Sequence, residues 1–364
     1  MKIYELARII EELAPLALQE TYDNAGLIIG SPDWQISGAL ITLDVTEAVI
    51  EEAVKTKSNL IIAHHPLIFK GLKKLTGKHP VERMVANCIK NDIAIYAAHT
   101  NLDNIFTGVN AMICQKIGLI NRQILAAKSS MLKKIVTFSP DHLAGKVRNA
   151  MFDAGAGHIG QYDSCSFNLS GQGTFRALEG ADPFVGEIDK LHVENETRIE
   201  IIYPLYRESQ IISAMLEAHP YEEVAYDIYP LSNEMKNIGA GMTGELEIPE
   251  NAIDFLKRIK NIFGAGCVKH TAILNEKVQK IAVCGGSGSF LINDAIRVGA
   301  DVFITGDIKY HEFFDADQKM IIADIGHYES EQFTRELLMS IIKKKNPTFA
   351  VRISGINTNP IQYI

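Results

Sequence analysis

Long apolar runs, paired cysteines and an excess of positive charge are all missing from this 364-residue sequence. No stretch approaches the roughly 20 apolar residues that a membrane span needs. The N-terminal stretch "MKIYELARIIEELAP" indicates an amphipathic helix and not a signal peptide. The five cysteines form no C-x-x-C pair, so we interpret them as reduced thiols of a cytoplasmic protein. A net charge of −8 argues against a nucleic-acid partner. The composition, 47% hydrophobic and 22% charged, is typical of a globular chain of two or three domains.

Two regions of the sequence alternate between short apolar runs and helical periodicity. In residues 37–118 the predicted strands are "ISGALITLDV", "NLIIA" and "DIAIYAAH", and helices lie between and after them. Thr46 is the predicted N-cap of the first of these helices, and Gly118 closes the last. Residues 279–345 repeat the order, with "KIAVCGG", "DVFITGD" and "KMIIADIG" as strands. Continuous apolar strands separated by helices predict a parallel or mixed sheet that is covered on both faces.

The two regions can be superimposed as sequence patterns. "LITLD" falls on "IAVCG", "NLIIAHH" falls on "DVFITGD", and "IAIYAAHTNLD" falls on "MIIADIGHYESE". We therefore predict an α/β fold that contains two duplicated α/β units.

A segment of different character separates these two units. Its predicted elements follow the order β-α-β-β-α-β, from a strand that begins near Lys133 to one that ends near Leu231, with a hairpin that turns at Gly171–Gly173. That order is the ferredoxin-like motif, so we predict an inserted ferredoxin-like domain. The predicted domains are 1–127, 128–232 and 233–364.

Histidines and carboxylates follow the predicted strands in both units. They are His64, His65, His99, Asp103, His327 and Glu331. "HTNLD" and "HYESE" occupy equivalent places, and in the second of these the side chains at i and i+4 share one helix face. Open α/β sheets bind ligands at this edge, and imidazoles and carboxylates are ligands of borderline metals. Because two adjacent histidines diverge when they leave a strand, His64 and His65 suit two ions better than one, which predicts a dinuclear centre.

Six ordered stretches make the chain similar to a known family. "YDNAGLIIG", "AHHPLIF", "AAHTNLDN", "GMTGEL", "TGDIKYHEF" and "GHYESE" resemble the signature stretches of the Nif-three-like family, whose members are often labelled GTP cyclohydrolase 1 type 2 homologues. The resemblance implies two divalent ions per chain, with zinc first and iron or manganese as alternatives. The ligands that it implies are His64, His65, Asp103, His327 and Glu331. Asp103 is the implied bridge, and His99 is expected to contact a ligand side chain or the substrate. Tyr22 stands where relatives commonly have Trp.

The insert resembles the PII-like or CutA-like module of longer bacterial members. The stretches that carry this resemblance are "YDSCSFNLSGQGTFRALEGADPFVGE" and "HPYEEVAYDIYPL". Such modules tend to trimerise, and family members tend to form toroidal hexamers. The resemblance therefore implies a toroidal homohexamer, a trimer of dimers, with a small-molecule substrate such as a nucleotide and no membrane partner.

Three further stretches carry more than one interpretation. "CGGSGSF", at 284–290, is either a phosphate cradle or a plain tight turn. "FKGLKKLTGKHP" is either a solvated loop or a cationic lip that attracts a phosphorylated substrate. In "TGDIKYH", Asp307 is the predicted hydrogen-bond partner or helix cap, and His311 is a candidate proton carrier.

Three functions are compatible with these features. The first is a metal-dependent hydrolase of a nucleotide or other phosphorylated metabolite, with His99 and His311 as catalytic proton carriers. The second is a metal-handling or metal-insertion protein, and the third is a regulatory assembly whose insert binds a small ligand. We place the hydrolase first, because two ions in a sheet-edge cleft are a costly arrangement for mere transport.

Overall fold

The computed structural model describes all 364 residues and divides them into two compact units. Unit 1 comprises Met1–Ala127 together with Lys236–Ile364, and unit 2 comprises Lys128–Met235. No helix is both long enough and apolar enough to cross a membrane.

Short strands alternate with helices through most of the chain. The helices are α1 (Ile3–Leu13), α2 (Glu47–Lys55), α3 (Pro80–Lys90), α4 (Thr100–Asp103), α5 (Val109–Ile117), α6 (Ala144–Asp153), α7 (Glu208–Ala218), α8 (Ala252–Phe263), α9 (Ile292–Arg297), α10 (His327–Glu331) and α11 (Thr334–Lys345). The strands are β1 (Gly26–Ile29), β2 (Ala39–Thr42), β3 (Leu60–Ala63), β4 (Ala94–Ala97), β5 (Ile120–Lys128), β6 (Leu132–Pro140), β7 (Phe167–Arg176), β8 (Leu191–Pro204), β9 (Tyr226–Leu231), β10 (Met235–Asn251), β11 (Lys269–His270), β12 (Lys277–Ser287), β13 (Val302–Gly306), β14 (Ile321–Asp324) and β15 (Val351–Ile353). Short 3₁₀ helices span Leu16–Leu18, Leu205–Arg207, Ser289–Leu291 and Tyr310–Ala316.

The first sheet of unit 1 has the order β1-β4-β3-β2-β15. β2, β3, β4 and β15 are parallel, and β1 joins β4 as an antiparallel edge. Leu40 and Ile61 pack with α2 and α3 in one core cluster. Ile41, Ile62 and Tyr96 alternate with this set and are at most 2% exposed, so both faces of the sheet are covered. The predicted mixed α/β sheet is confirmed here.

The second sheet of unit 1 has the order β11-β14-β13-β12-β10-β5. β12, β13 and β14 are parallel, while β10 and β11 pair antiparallel with β12 and β14. Both sheets thus contain a run of three parallel strands in chain order, β2-β3-β4 and β12-β13-β14, with an antiparallel strand beside the last of the three, and the first sheet adds β15 as a fourth parallel strand. Whether this likeness reflects a duplication stays a prediction.

Two helix ends in unit 1 follow the sequence directly. The side chain of Thr46 accepts a hydrogen bond from the backbone N–H of Val49 and so caps α2, as predicted. Gly118 ends α5 in the left-handed conformation, with φ +86°. Near the end of unit 1 the helical residues fall into two helices, since α10 ends at Glu331 and α11 begins at Thr334.

Unit 2 is a four-stranded antiparallel sheet with two helices. Its elements follow the chain order β6, α6, β7, β8, α7, β9, and its sheet order is β7-β8-β6-β9. The helices pack on one face of the sheet, where the core residues are Ile135, Val147, Met151, Ile199, Ile201, Tyr203, Ile211 and Met215.

The hairpin turn predicted at Gly171–Gly173 is wrong. β7 runs straight through these glycines and pairs Gly171 with Glu196 and Gly173 with Glu194 on β8. A Cβ on Gly173 would collide with the carboxylate of Glu196, so that glycine provides space for a neighbouring side chain. The chain reverses later, between Arg176 and Leu191.

Candidate metal centre

The five residues predicted as metal ligands lie together at the carboxyl edges of the two sheets of unit 1. His64 and His65 directly follow β3, and Asp103 is the last residue of α4, just beyond β4. His327 and Glu331 are the first and last residues of α10, which follows β14. The parallel strands of both sheets end at this place, which brings together side chains that are more than 200 positions apart in the chain.

One group of donor atoms surrounds a single oxygen of Glu331. Its Oε2 lies 3.0 Å from Nε2 of His65 and 3.1 Å from Nε2 of His327. The two Nε2 atoms are 3.2 Å apart. These three residues form a group that could hold a metal ion.

A second group surrounds the other oxygen of Glu331. Its Oε1 lies 3.6 Å from Nε2 of His64, and that nitrogen lies 3.7 Å from Oδ1 of Asp103. His64 Nε2 and Asp103 Oδ1 are buried and have no hydrogen-bond partner. A buried polar atom without a partner is costly unless a cation binds it, so the donor set fits a metal ion. Glu331 belongs to both groups, whereas Asp103 belongs only to the second.

A backbone carbonyl and a carboxylate fix the two histidines that follow β3. Nδ1 of His64 donates a hydrogen bond of 2.8 Å to the carbonyl oxygen of Ala98. Nδ1 of His65 lies 2.7 Å from Oδ1 of Asp44, the second residue after β2. In each ring the Nδ1 proton is engaged, which leaves the lone pair of Nε2 for a metal.

The same arrangement recurs in the second sheet. Nδ1 of His327 lies 2.7 Å from Oδ2 of Asp307, the residue after β13, so the hydrogen-bond role predicted for Asp307 is confirmed. Carboxylates that hold metal-binding imidazoles in this way are common second partners in metal sites.

Without a bound cation, the two carboxylates of the cluster hold their protons very differently. Burial and the charge of Glu331 raise the pKa of Asp103 to about 8. Burial disfavours the ionised form of Glu331 too. The neighbouring imidazoles, His64 first among them, have the larger effect and hold the pKa of Glu331 well below its usual range. Positive charge beside Glu331 therefore strongly stabilises the ionised form of its carboxylate.

The pKa values of His65 and His327 are both raised by the carboxylates beside them. Burial disfavours the charged form of His65, but Asp44 and Glu331 outweigh it and raise the pKa of His65 to about 10. For His327 the neighbouring carboxylates likewise overcome burial and raise the pKa to about 9. The charged forms of both imidazoles are thus stabilised by the carboxylates that face them.

His99 lies beside the two groups and has its own carboxylate partner. Nδ1 of His99 is 2.7 Å from Oδ1 of Asp23, and its ring centroid is 5.2 Å from that of His64. The second oxygen of Asp23 accepts hydrogen bonds from the backbone N–H and the hydroxyl of Thr100. Burial opposes the charge of Asp23, but His99 and Thr100 outweigh it and lower the pKa of Asp23 to about 2. Asp23 is thus a fixed anion that keeps the Nδ1 proton on His99.

A cavity of about 550 Å³ opens onto these side chains. Its polar lining includes His65, His99, Asp103, His327 and Glu331, and its aromatic lining includes Tyr22, Phe69, Phe290 and Tyr328. The structure does not bring His311 to this cavity. His311 is exposed on the 3₁₀ helix Tyr310–Ala316, with its ring 5.2 Å from Tyr310 and 6.4 Å from Phe314 between centroids.

The glycine-rich stretch 284–290 packs beneath α10. The N–H of Gly285 donates to Oδ1 of Asn110 at 3.0 Å, and the N–H of Gly286 donates to Oγ of Ser330 at 2.9 Å. Because protein oxygens occupy these two N–H groups, the geometry disfavours the phosphate cradle, and residues 284–287 form the end of β12 and not a tight turn.

Sequence reasoning did not assign roles to Asp23 and Asp44. Both lie in quoted stretches, "YDNAGLIIG" and "LITLD", and Asp44 follows a predicted strand just as Asp307 does. Its position after a predicted strand was the feature of the sequence that could have identified Asp44. Thr358 and Asn359, which contact Asp44 and Glu329, lie in a tail without periodicity.

Comparisons with known proteins agree with this architecture. A sequence model of the Duf34/NIF3 family (NGG1p interacting factor 3) matches residues 1–360. The chain belongs to the Duf34/NIF3 family. The resemblance predicted from the six stretches is therefore confirmed.

Duf34/NIF3 relatives of similar length are known from several bacteria. A Bacillus subtilis protein named GTP cyclohydrolase 1 type 2 homolog is 39% identical, over 99% of this chain and 98% of its own. A Halalkalibacterium halodurans protein of the same name is 38% identical, over 98% of this chain and 97% of its own. The crystal structure of a Bacillus cereus protein related to NIF3 aligns with a TM-score of 0.86 at 39% identity, covering 100% of this chain and 99% of that one.

Proposed function

We propose that this Duf34/NIF3 protein is a dinuclear metal-dependent hydrolase of a nucleotide or other phosphorylated metabolite. One observation carries the proposal: two groups of donor atoms share Glu331 at the wall of an open cavity. His64, His65, Asp103, His327 and Glu331 would hold two divalent ions, with zinc first and iron or manganese as alternatives.

A bound pair of ions would supply an activated water and would polarise the electrophile. The chain itself contributes orientation and proton transfer. Asp44 and Asp307 fix the ring planes of His65 and His327, so that the Nε2 lone pairs meet at one point. His99 keeps its Nδ1 proton against Asp23 and presents Nε2 to the cavity, where it can accept or donate a proton.

The surroundings of the cavity support a phosphorylated substrate. Phe69 lines the cavity, and the exposed segment after it carries four lysines, Lys70, Lys73, Lys74 and Lys78. Cations at the entrance of a site raise the local concentration of anionic substrates. The name of the curated relatives points to GTP as one substrate to include.

The decisive experiment combines metal analysis with a substrate panel. Protein purified without chelator, and protein reloaded with zinc, iron or manganese, should contain two ions per chain. It should hydrolyse at least one member of a panel of nucleotides, including GTP, and phosphoesters. His99→Ala should retain both ions and lose turnover by roughly 10²-fold or more, the usual scale of general acid–base catalysis.

His311→Ala is the matched comparison, because His311 is exposed and outside the cavity lining. Turnover that falls with His99→Ala alone supports His99 as the proton carrier, and a loss with His311→Ala restores the role predicted for His311. Two bound ions without turnover of any substrate would contradict the hydrolase and favour metal handling.

We also infer three features of the architecture. The matching strand orders of the two sheets of unit 1 support a duplication. The β-α-β-β-α-β order of unit 2 supports a ferredoxin-like, PII-like insert. A toroidal homohexamer, a trimer of dimers, is the assembly that we propose, and its mass in solution tests it.

A further inference from the structure

The C-terminal segment, residues 355–361, contacts elements that carry proposed ligands in both sheets. Oγ1 of Thr358 donates a hydrogen bond of 2.7 Å to Oδ2 of Asp44, whose Oδ1 lies 2.7 Å from Nδ1 of His65. Nδ2 of Asn359 donates a hydrogen bond of 3.0 Å to Oε1 of Glu329 on α10. Two consecutive residues thus contact the carboxylate partner of His65 beside the first sheet and the helix that carries His327 and Glu331 beside the second.

The segment also carries local side-chain-to-backbone hydrogen bonds of its own. The N–H of Asn359 donates to Oδ1 of Asn357, and the N–H of Ile361 donates to Oδ1 of Asn359, each at 3.0 Å. Asn359 and Ile361 also line the cavity that contains the candidate metal centre. The segment therefore forms part of the cavity wall beside the candidate metal centre.

We propose that the C-terminal segment positions the metal centre, with Thr358 acting on His65 through Asp44 and Asn359 acting on α10 through Glu329. This inference rests on the proposed metal centre. A carboxylate that accepts a hydrogen bond on each oxygen cannot rotate freely, so Asp44 holds the ring of His65 in one plane. Loss of the Thr358 hydroxyl frees one oxygen of Asp44 and widens the range of directions available to Nε2 of His65.

The test compares the full-length wild type with Thr358→Val and Thr358→Ser. Valine keeps the shape of threonine without the hydroxyl, and serine restores the hydroxyl. Zinc affinity is measured by competition with a chromophoric chelator, and ligand geometry by the absorption spectrum of the cobalt-loaded protein. Thr358→Val should weaken binding of one ion by roughly 3- to 10-fold, less than the 10- to 100-fold typical of losing a ligand's direct partner. It should also shift the cobalt spectrum, and Thr358→Ser should recover both properties.

Ser354→Ala is the matched control. Ser354 precedes the same segment, and its hydroxyl donates to the carboxylate of Glu52, a bond of the same kind away from the ligands. This variant should lower the melting temperature and leave zinc affinity and the cobalt spectrum unchanged. Wild-type affinity and spectrum in Thr358→Val, or an equal loss in Ser354→Ala, would overturn the inference alone. A wild type that binds neither zinc nor cobalt would overturn the metal centre and this inference with it.

Discussion

Glu331 holds the most central position among the candidate ligands. Each of its oxygens faces a different group of donor atoms, and Asp103 faces only one. The resemblance to the family implied Asp103 as the bridge, and that assignment stays a prediction. The geometry of this chain gives Glu331 the stronger claim, because a carboxylate that serves both ions must reach both groups.

Substitution of the two carboxylates distinguishes these assignments. Glu331→Gln should remove both ions, since the amide cannot supply an anionic oxygen to either group. Asp103→Asn should retain the ion held by His65, His327 and Glu331. Elemental analysis after dialysis against a weak chelator measures the difference, and complete loss of metal in Asp103→Asn with retention in Glu331→Gln would return the bridge to Asp103.

The sequence could predict the ligands because they follow recognisable strands. "NLIIA" is a continuous β-branched and apolar run, so the histidines after it fall at a sheet edge. The partners of Asp44 could not be predicted in the same way. Thr358 contacts Asp44 across a separation of 314 residues, and no local pattern specifies such a contact.

At the scale of elements, regular strands and helices were predictable, whereas edges and reversals were not. Strands such as β3 and β13 are buried at every position and mostly apolar, so their sequence pattern is strong. β1 and β15 are short, partly exposed edge strands, and their sequences carry a weak signal. The glycines of β7 resembled a turn because a local pattern does not show that a neighbouring strand places Glu196 above them.

Gly286, near the end of β12, leaves the space that the side chains of Glu331 and His327 occupy. Gly286 has φ +62°, and a Cβ on it would collide with the carboxylate of Glu331 and lie 3.2 Å from Cε1 of His327. Gly286→Ala should therefore displace Glu331 and reduce metal content. Metal analysis and thermal unfolding of the same samples measure the two effects.

Gly264→Ala is the control for this substitution. Gly264 has φ +61° at the end of α8, with no atom within 4 Å of an added Cβ. Each substitution places a residue with a Cβ in the left-handed conformation, which should destabilise the fold by about 1 to 2 kcal/mol in both variants. Only Gly286→Ala should lose metal, and equal metal loss in both would mean that destabilisation alone explains it.

At the scale of the whole molecule, unit 1 is assembled from both ends of the chain, and unit 2 is one continuous segment. All the proposed ligands lie in unit 1. β5 and β10, which border unit 2 in the sequence, are neighbours in the second sheet. Removal of unit 2 would leave two chain ends in unit 1, at Ala127 and Lys236. These ends are close, because a Cβ on Gly239 would lie 2.8 Å from Cα of Ala127.

A chain in which a short glycine-serine linker replaces residues 128–235 should fold and bind two ions. Circular dichroism and elemental analysis test this, and light scattering reports the change in assembly that we expect. An unfolded or metal-free product would show that unit 2 is required for unit 1. A full-length sample with a linker of equal length inserted after Lys128 controls for the linker itself.

The division of unit 1 between the two ends of the chain also determines when the metal centre can form during synthesis. Unit 2 is continuous, so it can begin to fold while the ribosome is still adding residues. The proposed centre needs Glu331, which is 266 positions after His65, and the bond that fixes Asp44 needs Thr358 near the last residue. A nascent chain thus carries His64 and His65 for most of its translation without the carboxylate that completes either ion site. Either of the two proposed ion sites would therefore be complete only after Glu331 has been synthesised.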